Sequence, residues 1–125
     1  MYTLRVSRDF VAQHYLTVPG CGPENEWHSH HFEIELLLEG PSLNENGYLI
    51  DIVEVEEILD SRVDRYRDAT LNDLPEFDNK NPSIEHFSQI VCSYIVTNIE
   101  SSNISTVTVR IWEDDSAWAS YSTEF

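Results

Sequence analysis

The sequence predicts an α+β domain in which two helices pack on one face of a four-stranded antiparallel sheet. Segments near both ends of the chain alternate apolar and polar side chains, which is the period of two expected for half-buried strands. Between them, two segments repeat apolar residues every three or four positions, the spacing of amphipathic helices. The predicted element order is therefore ββααββ.

The strands of the N-terminal half are separated by segments rich in turn residues. We predict a first strand from residue 2 to about residue 16, a loop at 19–23, where glycine and proline are dense, and a central strand at 32–40. A hairpin connection at 40–47 then leads us to expect that 48–52 returns as a strand antiparallel to the central one.

The helices and the last two strands follow in the C-terminal half. The first helix is predicted from about Asp51 to Tyr66, and an irregular piece at 67–80 follows it. Asn81-Pro82 predicts the start of the second helix, with asparagine as the cap and proline at the first helical position. Strands are then expected at 106–111 and 117–121, with no internal repeat.

Length and composition indicate a single domain spanning residues 1–125. The 125 residues are 41% hydrophobic, enough for one core but not for two. No run approaches the roughly 18 apolar residues of a membrane span, and the first residues show no signal-peptide pattern. Two cysteines fit a reducing compartment better than a disulfide framework. We therefore expect a cytoplasmic protein with no membrane partner.

The charge balance is strongly acidic. There are 23 Asp and Glu against 7 Lys and Arg, which gives a formal net charge of -16. Such a surface repels nucleic acid, so we exclude nucleic acid as a partner. The acidic residues are dispersed along the chain, and we interpret them as an adaptation to a high-salt cytoplasm, where screening removes the self-repulsion.

The histidines that open the central strand predict a metal site. On a strand, His28 and His30 point to one face while His31 points to the other. A same-face pair of neutral imidazoles can bind one ion, and zinc is the ion they suit best. A third histidine ligand has to come from His14 or His86, the only others in the chain.

Several motifs occur in a fixed order along the chain. They are Phe-Val-Ala-Gln-His at 10–14, His-Ser-His-His-Phe at 28–32, Gly-Tyr-Leu-Ile-Asp at 47–51, Leu-Asn-Asp at 71–73, Asn-Pro-Ser-Ile-Glu at 81–85 and Val-Arg-Ile-Trp-Glu at 109–113. In this order they resemble the 6-pyruvoyltetrahydropterin synthase and 6-carboxytetrahydropterin synthase family. The resemblance covers essentially the whole chain.

The resemblance implies the tunnelling fold, in which ββααββ subunits trimerise through their sheets into a barrel. Two trimers would stack into a homohexamer, with active sites at subunit interfaces. In the sheet predicted above, the face away from the helices still carries apolar side chains such as Leu37 and Trp112. We therefore expect another subunit to cover this face, and the assembly of the family would do so.

The resemblance also implies the roles of the site residues. His14, His28 and His30 would bind zinc, whose open fourth position is typical of a catalytic centre. In the family, zinc acts as a Lewis acid on the side-chain hydroxyls of a pterin while a general base moves protons. We expect His31 to neighbour the site and His86 to be an exposed helix residue.

Glu113 corresponds to the glutamate with which the family anchors the pterin ring, because a carboxylate can accept two hydrogen bonds from the ring edge. Ser83 and Glu85 are further candidates for contacts at the ring edge. A role at the start of the helix explains Ser83 and Glu85 nearly as well.

The base and the proton relay depart from the family pattern. The family places a cysteine a few residues before His-x-His; here Cys21 lies seven residues before His28, and Glu24 lies four before it. One variant class of the family uses a glutamate instead and cleaves the side chain of dihydroneopterin, so both residues are candidates. The relay Asp-His pair is missing, and Asp68 is the residue that could replace part of it.

Three functional hypotheses follow. The first is a zinc-dependent lyase that converts dihydroneopterin triphosphate, or a close relative, to a 6-pyruvoyl- or 6-carboxy-tetrahydropterin. The second is the aldolase variant, which would use Glu24 and release 6-hydroxymethyl-dihydropterin. The third is a member that binds pterin without converting it, because the relay is incomplete.

Overall fold

The computed structural model describes residues 1–125 and confirms the element order ββααββ. The strands are β1 (Tyr2–His14), β2 (His28–Gly40), β3 (Thr106–Asp114) and β4 (Ala117–Glu124), and the helices are α1 (Ile52–Tyr66) and α2 (Ile84–Asn98). The strands form one antiparallel sheet in the order β1-β2-β3-β4. Helix α1 packs against β1, and α2 packs against β3 and β4. No helix of the structure combines the length and the apolar character that crossing a membrane requires.

The core lies between the sheet and the two helices. The apolar residues of β2 that alternation predicts to be buried are at most 1% exposed; they are Phe32, Ile34, Leu36 and Leu38. Next to them, five aromatic rings pack with centroid separations of 4.9–6.5 Å; they are Phe10, Phe32, Tyr66, Phe77 and Phe87. This aromatic cluster ends at His14, whose ring centroid lies 5.7 Å from that of Phe32.

The prediction that residues 48–52 return as a strand is wrong; it is one strand more than the order ββααββ contains. Both edges of β2 are already occupied, since Gly40 pairs with Tyr2 of β1 and Glu39 pairs with Thr106 of β3. The segment instead buries Leu49 and Ile50 and leads into α1. Asp51 caps that helix by accepting a hydrogen bond from the Val53 amide at 2.9 Å.

Two further boundaries differ from the sequence prediction. Strand β1 ends at His14, before residue 16. Helix α2 begins at Ile84 with Ser83 as its cap, so Asn81-Pro82 precedes the helix. The side chain of Asn81 is used elsewhere, because its Oδ1 accepts a hydrogen bond from the Thr17 amide at 2.8 Å. Asn81 therefore fastens the loop after β1 to the start of α2.

Candidate metal centre

Three histidine rings meet at the ends of β1 and β2. The register of the two strands places His14 directly opposite His28, and His30 follows two residues later on the same face. The ring centroids are 4.6 Å (His14–His28), 5.2 Å (His14–His30) and 4.8 Å (His28–His30) apart. The same-face geometry predicted for His28 and His30 is confirmed.

Backbone carbonyls orient two of the rings. Nδ1 of His14 lies 2.9 Å from the Pro82 carbonyl oxygen, and Nδ1 of His28 lies 2.7 Å from that of Glu26. A carbonyl only accepts, so in both rings Nδ1 carries the hydrogen and Nε2 presents a lone pair. Fixing the ring through its second nitrogen in this way is the usual arrangement of a metal-binding histidine.

The Nε2 atoms of all three histidines are buried without a hydrogen-bond partner. Buried polar atoms are rarely left unpaired, so three that converge on one point require an explanation. Burial lowers the pKa of His14 to about 4, so this ring is neutral at pH 7, as a metal ligand has to be. The three nitrogens therefore form a donor set that fits a metal ion such as zinc.

Two carboxylates approach the same point. Oε2 of Glu24 lies 3.3 Å from Nε2 of His28, and Oε1 of Glu113 lies 3.1 Å from Nε2 of His30 and 3.6 Å from Nε2 of His14. The five candidate ligand atoms all lie within 4.8 Å of one another. The Nε2 atoms of His14 and His28 present lone pairs, and a lone pair facing a carboxylate oxygen is repulsive unless a cation lies between them, which again fits a metal ion.

The loop before β2 positions the Glu24 carboxylate at this cluster. A short 3-10 turn spans Gly22–Asn25, and the carbonyl of Glu24 accepts a hydrogen bond from the Leu16 amide at 2.7 Å. The Asn25 side chain donates to the carbonyls of Leu16 and Val18, at 2.9 Å each. Cys21 precedes the turn, is half-buried and is not among the clustered ligand atoms.

The other predicted residues lie outside the cluster. The exposed Asp68 adopts a positive φ of 59°, and its side chain makes no hydrogen bond or ion pair. Ser83 accepts a hydrogen bond from the His86 amide at 3.2 Å as the cap of α2, and Glu85 is exposed in the first turn. His86 is half-buried rather than exposed, because its Nδ1 lies 2.6 Å from the Asn81 carbonyl oxygen.

His31 points away from the metal centre, as predicted, and forms an exposed pair with Asp9 at 3.1 Å. Sequence reasoning did not place Glu113 beside the histidines. The available signal was strand parity, since Glu113 continues the series Val107, Val109 and Ile111 on the helix-covered face of β3.

The fold and the site together define a class of protein: a small α+β domain with a candidate metal centre where its first strand ends and its second begins. The chain belongs to the 6-pyruvoyl tetrahydropterin synthase family, whose profile matches residues 3–124. Membership supports an enzyme of the tetrahydropterin synthase type. No curated protein shows significant similarity to the sequence.

Solved structures of this fold are similar to the chain over nearly its full length. A Plasmodium vivax 6-pyruvoyltetrahydropterin synthase with a catalytic residue replaced is 15% identical, with a TM-score of 0.83 over 99% of this chain and 98% of the other. The Caenorhabditis elegans synthase is 18% identical, with a TM-score of 0.84 over 98% and 96% of the two chains. An uncharacterized Wolinella succinogenes protein is 14% identical, with a TM-score of 0.76 over 98% of both. At sequence identities this low, the structural similarity establishes the fold of the chain and nothing more.

Proposed function

We propose that the protein is a zinc-dependent pterin lyase that converts dihydroneopterin triphosphate, or a close relative, to a 6-pyruvoyl- or 6-carboxy-tetrahydropterin. The observation that carries the proposal is the convergence of three buried, unpartnered Nε2 atoms within a fold of this family. His14, His28 and His30 would hold the zinc ion. When bound, it would supply Lewis-acid activation of the pterin side-chain hydroxyls.

Glu24 is the proposed general base. Its carboxylate lies at the cluster, 3.3 Å from His28 Nε2, whereas Cys21 is not part of it. The side chain is half-exposed, so it can reach a substrate that enters from solvent. Plasmodium vivax synthases of this fold carry a catalytic glutamate, which has been replaced by alanine or by cysteine, and this supports a glutamate in the same role here.

The same observation favours a second candidate function. In the family variant that uses a glutamate, the side chain of dihydroneopterin is cleaved and 6-hydroxymethyl-dihydropterin is released. The position of Glu24 is compatible with this reaction as well. The two reactions differ in their products, so product analysis separates them.

The remaining residues are proposed to bind the substrate. Glu113 would accept hydrogen bonds from the amino group and ring N–H of the pterin, with Glu85 and Ser83 as further candidates at the ring edge. Asp68 would contribute to the relay; within one subunit its side chain is exposed and lies outside the cluster. We further propose a cytoplasmic homohexamer with sites at subunit interfaces, adapted to high salt.

The test is an anaerobic incubation of the zinc-loaded protein in molar salt with dihydroneopterin and with its triphosphate, with products identified by mass spectrometry. We expect Glu24→Gln to lower turnover by about 10²- to 10⁴-fold with zinc content unchanged, the usual contribution of a general base. Cys21→Ala is the matched variant and should retain most of the activity.

Each outcome has a distinct meaning. A pyruvoyl or carboxy product supports the lyase, and a 6-hydroxymethyl product supports the aldolase variant. Tight pterin binding without turnover of either substrate would instead indicate a binding protein. Loss of turnover in Cys21→Ala with full activity in Glu24→Gln would show that the base is assigned to the wrong residue.

A further inference from the structure

We propose that Glu113 is itself a metal ligand in the substrate-free protein and that it leaves the metal when a pterin binds. The inference rests on the metal site of the proposed function and gives Glu113 a second role there. Its carboxylate would occupy the fourth position until the substrate ring draws it away.

The distances at the cluster favour Glu113 as the fourth ligand. In a tetrahedral zinc site with bonds of about 2.0–2.1 Å, neighbouring ligand atoms lie about 3.3–3.4 Å apart. Oε1 of Glu113 is 3.1 Å from Nε2 of His30 and 3.6 Å from Nε2 of His14, which brackets that separation at two of the three histidines. Glu24 approaches only His28. Glu113 is therefore the carboxylate that lies close to two of the three histidine nitrogens.

A β-bulge occurs at Glu113, which strand parity already places on the helix-covered face. Trp112 pairs with Trp118 and Asp114 pairs with Ala117, so Glu113 is the extra residue between two successive pairs of β3 and β4. Such a bulge locally changes the direction of a strand and re-aims its side chain. The turn that follows is fixed by Asp114, whose Oδ1 accepts hydrogen bonds from the Ser116 amide at 2.8 Å and the Ala117 amide at 3.1 Å.

The side chain of Glu113 is nevertheless free to move. It is 27% exposed, and the structure gives it no hydrogen bond apart from its approach to the histidines. Nothing else in the domain holds the carboxylate on the cluster. A bound metal ion would hold it there, and an incoming ligand with two hydrogen-bond donors would compete for it.

Metal binding and ring recognition by Glu113 therefore compete for the same carboxylate. Recognition of an amino group and an adjacent ring N–H uses both carboxylate oxygens in a parallel pair of hydrogen bonds. Release of Glu113 from the metal would then free one coordination position. Binding of the ring would thus open the metal for the substrate side chain.

The first test measures zinc affinity without substrate, by competition with a chromophoric chelator. Glu113→Gln should weaken zinc binding by at least about tenfold, the lower end of the loss seen even for residues that only support a metal ligand. Glu24→Gln removes the same charge from the same cluster and should weaken binding less. Equal affinities for Glu113→Gln and the wild-type protein would overturn the proposal, as would an equal loss in both variants.

The second test uses the absorption spectrum of the cobalt(II)-substituted protein. A pterin that lacks side-chain hydroxyls cannot ligate the metal through its side chain, yet it should change the wild-type spectrum by withdrawing Glu113. The spectrum of Glu113→Gln should not respond. A wild-type spectrum that stays constant while such a pterin binds would refute the exchange. Since the affinity test contains no pterin, failure of the proposed reaction is distinguishable from failure of this inference.

Discussion

Replacing Glu76 should destabilise the protein in a pH-dependent way. Its carboxylate fastens the segment between the helices to α1, accepting hydrogen bonds from Arg65 at 2.7 and 2.6 Å, from Arg62 at 2.9 Å and from the Tyr66 hydroxyl at 3.2 Å. The hydrogen bonds from Arg65, with smaller contributions from a backbone hydrogen bond and from the charges of Arg62 and Arg65, hold the pKa of Glu76 at about 2, against an ordinary value of 4.5.

The magnitude follows from this difference in pKa. At about 1.4 kcal/mol per pH unit, the lowering of the Glu76 pKa corresponds to about 3 kcal/mol of stabilisation. Arg65 is 39% exposed, and solvent screening reduces the contribution of such a pair. We expect Glu76→Gln to lower the free energy of unfolding by about 1–3 kcal/mol at pH 7. Because the folded pKa is depressed, this stability is present above pH 4.5 and is lost as the pH falls toward 2.

The assay is urea unfolding of the zinc-free protein at pH 7, 5 and 3, followed by tryptophan fluorescence. Zinc is removed so that protonation of the histidines does not change metal occupancy between conditions. Glu45→Gln is the control. It removes the same charge as Glu76→Gln, but at an exposed residue that forms no ion pair. The difference between the wild-type protein and Glu76→Gln should shrink at pH 3. A difference that is constant with pH, or equal to that of Glu45→Gln, would refute the reasoning.

Two further predictions concern packing and charge. Gly40→Ala should destabilise the fold by at least about 2 kcal/mol in the same urea assay, because the added Cβ would lie 1.9 Å from the Asn103 carbonyl oxygen. Gly47→Ala is the control, because an added Cβ at Gly47 would meet no other atom but the backbone has a φ of 78°. This substitution should lower the free energy of unfolding by only about 1–2 kcal/mol. Equal losses in the two variants would count against a packing cause. Raising KCl from 0.05 to 2 M should increase the thermal midpoint by about 4 °C or more if repulsion within the -16 charge is screened, whereas an unchanged midpoint would contradict the proposed salt adaptation.

The period of two predicted the burial of the β2 residues because a strand with one covered face has to alternate. The hairpin expected at 40–47 led to the wrong strand at 48–52, where the apolar Leu49 and Ile50 are buried in a segment without strand pairing. A local pattern reports which side chains are buried and carries no information about which sheet edges are free. Here β1 and β3 occupy both edges of β2.

The candidate metal centre was predictable from the sequence only where its residues are close together along the chain. His28 and His30 share a face by strand parity, which the sequence shows directly. His14 reaches them only through the β1–β2 register, so a resemblance to a family was needed to choose it over His86. The hydrogen bond of His14 to the Pro82 carbonyl joins residues 68 positions apart, and no sequence pattern reports such a contact.

Spacing along the chain also failed to choose between Cys21 and Glu24, and the local backbone explains why. The two residues are separated by a 3-10 turn that contains Pro23 and is pinned to the loop after β1 by Asn25. This turn brings the Glu24 carboxylate to His28, while Cys21 lies before it. Which residue serves as the base depends on which side chain of this loop reaches the cluster. A loop of different length can therefore place a different residue type there while the three histidines stay the same. A comparison of reactions within this fold therefore has to compare the turns before β2 as well as the ligands.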